Sequence, residues 1–218
     1  MQLHPDLHQR AVELVHNLPW LASPEPTVQR RMLERDGEEV ARATSVVRYL
    51  PGAHFPSHEH GAGEEIFVLE GTLGDELGEY PAGTYLRNPT GSEHAPWSTT
   101  GCTLFVKLRQ LDPADQTRVV VDTHTGTWLP GRAPGIDQLP LAGFGDERTG
   151  LVRFAPAAHS TQHQHAGGEE IFVLSGSYAD EYGHYPTGTW VRSPHGSIHL
   201  PYSEEGCILF IKTGHLPR

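Results

Sequence analysis

Residues 58–71 read HEHGAGEEIFVLEG, and residues 163–176 read HQHAGGEEIFVLSG. The two stretches are separated by 105 positions (163 − 58). The same shift lays DELGEYPAGTYLRNPTGSEHAPWS (75–98) on DEYGHYPTGTWVRSPHGSIHLPYS (180–203), and GCTLFVK on GCILFIK. No gap is needed from Val46/Leu151 to Lys107/Lys212, and roughly half of the aligned pairs are identical. A period this long marks a duplicated domain rather than a stack of short repeats. The chain of 218 residues must therefore build one small fold twice. The expected division is 1–110, a first lobe with an N-terminal extension, and 111–218, a connector followed by the second lobe. A three-residue gap extends the match back to Trp20 and Trp128.

Each lobe reads as all-β. Short runs such as EIFVLE, TYLRN and TLFVK are bounded by Gly, Pro, Asn and Ser, and PGA, HGAG, YPAG and NPTG are turn sequences. Many short strands at close spacing favour a sandwich or barrel. Near the N-terminus, LHQRAVELVHNL carries a partial apolar stripe after Asp6, a possible cap, which predicts short helical segments there.

The 15 histidines are the compositional oddity, and neutral imidazole is the commonest metal ligand. His58 and His60 are two apart, so on a strand both rings point to one side. A glycine-rich turn follows, and reversal of the chain can bring a carboxylate back beside them, with His94 as a fourth group. His163, His165 and His199 repeat the spacing. Alternation alone leaves Glu64 and Glu65 equivalent, because Ile66 and Val68 on one face and Phe67 and Leu69 on the other are all apolar.

These residues carry a family resemblance. Gly52, His58, His60, Glu64 and Gly71 match the cupin pattern G-x5-HxH-x3-E-x6-G, and Gly83, Pro89, Gly91 and His94 match the second cupin motif. The second lobe matches through His163, His165, Glu169, Gly176, Gly188, Pro194, Gly196 and His199. Ala157, Ser98 and Ser203 depart from the pattern at positions that are not ligands. The chain thus resembles a bicupin of the RmlC-like cupin superfamily: two tandem double-stranded β-helix barrels of jelly-roll type. The resemblance implies two divalent-metal sites, His58, His60, Glu64 and His94 in one and His163, His165, Glu169 and His199 in the other. Zinc is favoured; iron, manganese and nickel accept the same donors. The wording of the repeat is most similar to the cupin half of ChrR-type anti-sigma factors, a zinc-binding domain that takes part in the response to oxidative stress. The first forty residues lack the cysteines of the separate sigma-binding domain of that family, so a sensing or regulatory protein without sigma binding is expected. The alternative is an Fe(II)-dependent dioxygenase of the cupin superfamily acting on a small organic substrate.

A net charge of −11 with no basic stripe argues against nucleic acid. The absence of a long apolar run argues against a membrane span or leader, and two cysteines without a CxxC fit a cytoplasmic protein. Beyond the metals, the expected partners are a small-molecule ligand in the barrel and a second copy of the chain. Cys102 and Cys207 read as buried core residues rather than redox sensors. His54 and His159 recur and read as rim or ligand-supporting histidines. His4, His8, His16, His124, His184, His195 and His215 read as non-recurring and solvent-facing. Arg48/Arg153, Arg87/Arg192 and Lys107/Lys212 read as strand-end cations or holders of an anion. Glu59 between the first pair of histidines, against Gln164 between the second, predicts that the first site releases its metal at slightly lower pH.

Overall fold

A computed structural model describes all residues, 1–218. The chain forms two compact units, and neither is continuous in sequence. Met1–Pro5 and Asn17–Thr125 make the first; Asp6–His16 and Gly126–Arg218 make the second.

The first unit is organised by the strand Glu64–Asp75. Its first half lies between Cys102–Leu108 and Thr84–Asn88, with Leu104 opposite Val68 and Leu86 opposite Ile66. Its second half leaves that ladder and pairs with Gly78–Pro81 and, at Gly74, with Trp97. Gly71 marks the change of layer. Its φ is +73°, and a Cβ there would lie 2.1 Å from the Gly101 carbonyl oxygen, so only glycine fits. The second unit repeats the arrangement around Glu169–Asp180, with the break at Gly176. All pairings are antiparallel, and the ladders do not close on themselves. Each unit is therefore the layered, open form of the expected fold, not a hydrogen-bonded barrel. Ile66, Val68, Leu86, Leu104 and Val106 fill the first core, and Ile171, Val173, Val191 and Leu209 the second.

The N-terminal expectation is corrected. Ala11–Leu14 is a strand, followed by a single 3-10 turn at Val15–Asn17. The strand pairs with Thr189–Ser193, Ala11 opposite Arg192 and Leu14 opposite Thr189. Val119–Asp122 pairs with Thr84–Asn88 in the same register, Val119 opposite Arg87 and Asp122 opposite Thr84. The two strands are equivalent at a shift of 108 (119 − 11), three more than the body of the repeat. A sheet edge with unpaired backbone groups recruits an apolar segment whatever its weak local helical preference. The same shift relates His16 to His124, which recur after all: each ring lies against an equivalent glycine, Gly188 and Gly83. No helix is long and apolar enough to cross a membrane.

Candidate metal centres

Beside the main sheet, His58–Glu59 pairs with Glu93–His94, and the register sets His94 directly opposite His58. His163 and His199 face each other in the same way. His60 lies one step beyond, and the tight turn after it returns the chain to Glu64. The donor atoms of His58, His60, Glu64 and His94 all lie within 4.8 Å of one another, as do those of His163, His165 and His199. Glu64 Oε2 is 3.2 Å from His60 Nε2 and 3.6 Å from His94 Nε2. Glu169 Oε2 is 3.4 Å from His165 Nε2 and 3.6 Å from His199 Nε2.

The choice between adjacent glutamates is made by the partners each strand face offers. Glu65 points away from the histidines and accepts from Tyr85 OH (2.7 Å) and Arg87 Nη1 (3.2 Å). Glu170 accepts from Trp190 Nε1 (2.7 Å) and lies 2.9 Å from His215 Nε2. Glu64 stays with the histidine side, where Asn88 Nδ2 donates to it (3.1 Å). Of the recurring cations, Arg87, Arg192, Lys107 and Lys212 are buried on the Glu65 and Glu170 side, whereas Arg48 is half-buried and Arg153 exposed. Arg87 grips Asp115 through Nε (2.8 Å) and Nη2 (2.6 Å), and Lys212 pairs with Glu147 (3.1 Å). His215, expected in solvent, has a side chain only 2 % exposed. His54 and His159 are exposed and stand outside both clusters.

The outer nitrogens of His58, His60, His163 and His199 are hydrogen-bonded, while that of His94 makes no hydrogen bond and has an aspartate at 3.5 Å. His58 Nδ1 meets Pro56 O (3.0 Å), His163 Nδ1 meets Thr161 O (2.7 Å) and His60 Nδ1 meets Ser92 Oγ (2.9 Å). His94 Nδ1 lies 3.5 Å from Asp75 Oδ2, and His199 Nδ1 lies 3.5 Å from Asp180 Oδ2. Tyr178 OH is also 2.9 Å from His199 Nδ1, where the first unit has Leu73. Sequence reasoning missed Asp75 and Asp180. Their signal was present, since the aspartates recur at the shift of 105 (180 − 75).

The inner nitrogens converge without donors. His60 Nε2, His94 Nε2 and Glu169 Oε2 are buried and have no hydrogen-bond partner. In the second unit His199 Nε2 lies 2.9 Å from His165 Nε2 and 3.2 Å from His163 Nε2. With the Nδ1 atoms of His163 and His199 donating outward, their Nε2 atoms present lone pairs to each other. Buried lone pairs without donors are costly, and a cation among them removes the cost. Three imidazoles and a carboxylate suit a divalent transition metal, so the residues fit the group that the sequence implies.

Burial sets the protonation of the metal-free groups. It lowers His60 to about 4, helped by His58, and His165 to about 3, helped by His199 and His163. Burial also lowers His94 and His163, and it raises Glu169 to about 7. In His199 burial acts downward, but the hydrogen bond it donates to Asp180 and the charges of Glu169 and Asp180 outweigh it, and its pKa rises. Each cluster borders an open cavity, of about 390 Å³ in the first unit and about 420 Å³ in the second. Phe55, Leu73 and Leu108 line the first; Ser160, Tyr178 and Thr213 stand at the equivalent positions of the second, together with Arg132. Cys102 and Cys207 are buried, and burial raises both thiols, Cys207 to about 11.

Comparison with known proteins agrees with this architecture. In structure the chain is similar to a candidate dioxygenase of Nostoc punctiforme (TM-score 0.79, 16 % identity, 97 % of this chain and 85 % of that one). It is likewise similar to protein Ylba of Escherichia coli (0.75, 16 %, 98 % and 94 %). A cupin 2 conserved barrel domain protein of Leptotrichia buccalis also matches (0.62, 10 %, 98 % and 99 %). No curated protein sequence matches. The family model described as the ChrR cupin-like domain matches residues 8–112 and again residues 116–217. The chain therefore belongs to the ChrR cupin-like family and carries its domain twice.

Proposed function

We propose that the protein is a metal-binding bicupin with one divalent ion in each unit, and that it senses or regulates rather than catalyses. The observation that carries this reading is the convergence of histidine nitrogens and a carboxylate in both units, with His60 Nε2 and His94 Nε2 in the first and Glu169 Oε2 in the second buried without a hydrogen-bond partner. His58, His60, Glu64 and His94 hold the first ion, and His163, His165, Glu169 and His199 the second. Four such donors satisfy tetrahedral zinc. The net charge of −11 supports a soluble protein that does not bind nucleic acid, and the two buried free cysteines support a cytoplasmic location. The unlike cavity linings support different small-molecule ligands in the two units, a less polar one in the first. Metal analysis of protein purified without added metal tests the reading. Two ions per chain are expected, with His58→Ala removing one and His163→Ala the other. A fully loaded double variant refutes the ligand assignment.

A second reading is an Fe(II)-dependent dioxygenase, favoured by the open cavities beside the ligand sets, which are within the range of small-molecule sites. Iron bound by the same donors would keep positions for oxygen and substrate. The chain would then supply the walls that orient the substrate and exclude water. Retention of iron, with oxygen consumption dependent on a small organic substrate, would select this reading; retention of zinc would select the first.

A further inference from the structure

Behind His94 and His199 stands a chain of polar contacts that occurs twice. In the first unit Asp75 is 3.5 Å from His94 Nδ1 and accepts from Tyr80 OH (2.7 Å) and the Leu77 amide (2.8 Å). Arg118 Nη2 donates to Tyr80 OH (2.8 Å) and lies 3.9 Å from Asp75. In the second unit Asp180 is 3.5 Å from His199 Nδ1 and accepts from Tyr185 OH (3.0 Å) and the Tyr182 amide (2.9 Å). Arg10 Nη2 donates to Tyr185 OH and lies 4.0 Å from Asp180. The aspartates, tyrosines and histidines are related by the shift of 105, the arginines by 108 (118 − 10). The arginines belong to the recruited edge strands, each placed one residue before the strand begins.

We propose that Arg118 and Arg10 are positioning residues of the two metal centres, acting through Tyr80–Asp75 on His94 and through Tyr185–Asp180 on His199. The inference rests on the metal-binding reading above. The direction of every bond follows from the donor inventory. A guanidinium can only donate, so the tyrosine oxygen accepts from it. The single hydroxyl proton of the tyrosine must then go to the aspartate. The other carboxylate oxygen is left to accept from histidine Nδ1–H, and Nε2 presents its lone pair inward. In the second unit Tyr178 obeys the same order: its proton goes to Asp180 Oδ2 (3.0 Å), and its oxygen faces His199 Nδ1. A consequence is that the second centre depends on the segment Asp6–His16, from the other end of the chain.

The test uses the full chain in two single-centre backgrounds, H58A (second centre only) and H163A (first centre only), titrated with Zn2+ against a chelator. Arg10→Met and Tyr185→Phe are expected to weaken Zn2+ at the second centre about tenfold and leave the first unchanged. Arg118→Met and Tyr80→Phe should do the reverse, and Arg10→Lys should restore most of the loss. In metal-free protein, 15N NMR of His199 should show its Nδ1–H form falling in Arg10→Met, while His94 keeps its own. The proposal is overturned if Arg10→Met weakens both centres equally, or if the His199 tautomer does not move. It is also overturned if affinity falls only together with hydrogen-exchange protection of the Ala11–Leu14 amides, since the arginine would then merely anchor a strand. If the wild-type chain takes up no Zn2+, the metal reading fails, and the tautomer measurement still decides the network.

Discussion

Glu169→Gln separates metal binding from folding. Glu169 is buried, Oε2 has no hydrogen-bond donor, and its carboxyl is raised from 4.5 to about 7. A carboxyl raised on folding contributes fully below its unfolded value, and that contribution is lost as pH rises through its folded value. Each tenfold change in proton affinity is worth about 1.4 kcal/mol, so the metal-free folded state loses about 3 kcal/mol between pH 4.5 and pH 7 from this group. Glutamine has no proton to lose, and its amide can donate to His165 Nε2. We expect metal-free Glu169→Gln to gain about 3 kcal/mol on the wild type between pH 4.5 and pH 8. Urea unfolding checks this, with hydrogen exchange in Glu169–Asp180 assigning the transition to the second unit. Added metal should reverse the order, because an ion bound only by the folded state stabilises it by about 2.7 kcal/mol at a hundredfold excess over Kd. The variant lacks the carboxylate proposed as the fourth ligand. A stability difference that does not change with pH, or unaltered metal affinity at the second centre, refutes the reasoning.

Further expectations concern pH, packing and thiols. On acidification the second centre should give up its metal at higher pH than the first, because Glu169 and His199 both hold protons to higher pH than usual; a metal-release titration on H58A and H163A with the opposite order sinks this account. In metal-free protein His60 and His165, lowered to about 4 and about 3, contribute stability above pH 6.5 that is lost as pH falls through those values. Unfolding midpoints flat from pH 7 to 4 in a Glu169→Gln background would contradict it. Gly71→Ala should cost about 3 kcal/mol, from positive φ and the 2.1 Å approach to Gly101 O, read as a drop in the denaturant midpoint. Cys102 and Cys207 should resist thiol reagents until the chain unfolds, and rapid labelling of native protein would restore a redox role.

The helix expected near the N-terminus shows where local reading stops. Leu7, Leu14, Val15 and Leu18 satisfy part of a helical stripe, but a strand edge can bury Ala11 and Val15 as well. The ladder with Thr189–Ser193 supplies hydrogen bonds across 175 or more residues (189 − 14), which no local window contains. The three-residue change of shift at the recruited strands hid the equivalence of His16 with His124 and of Arg10 with Arg118 in the same way.

By itself the sequence determined the duplication, the all-β class and the family resemblance, and it proposed the eight candidate ligands, seven of which the structure groups. These rest on short-range facts: strand alternation puts His58 and His60 on one side, and glycine at Gly71 and Gly176 permits the break in a long strand. The tertiary structure alone decided what stands around them. It turned Glu65 and Glu170 away to buried partners, sank Arg87 and Lys212 into ion pairs, and placed Asp75 and Asp180 behind the histidines. It also gave the segment Asp6–His16 to the second unit. Those contacts follow from cross-strand register and from the requirement that every buried polar group find a partner, and both are properties of the packed whole rather than of a local stretch.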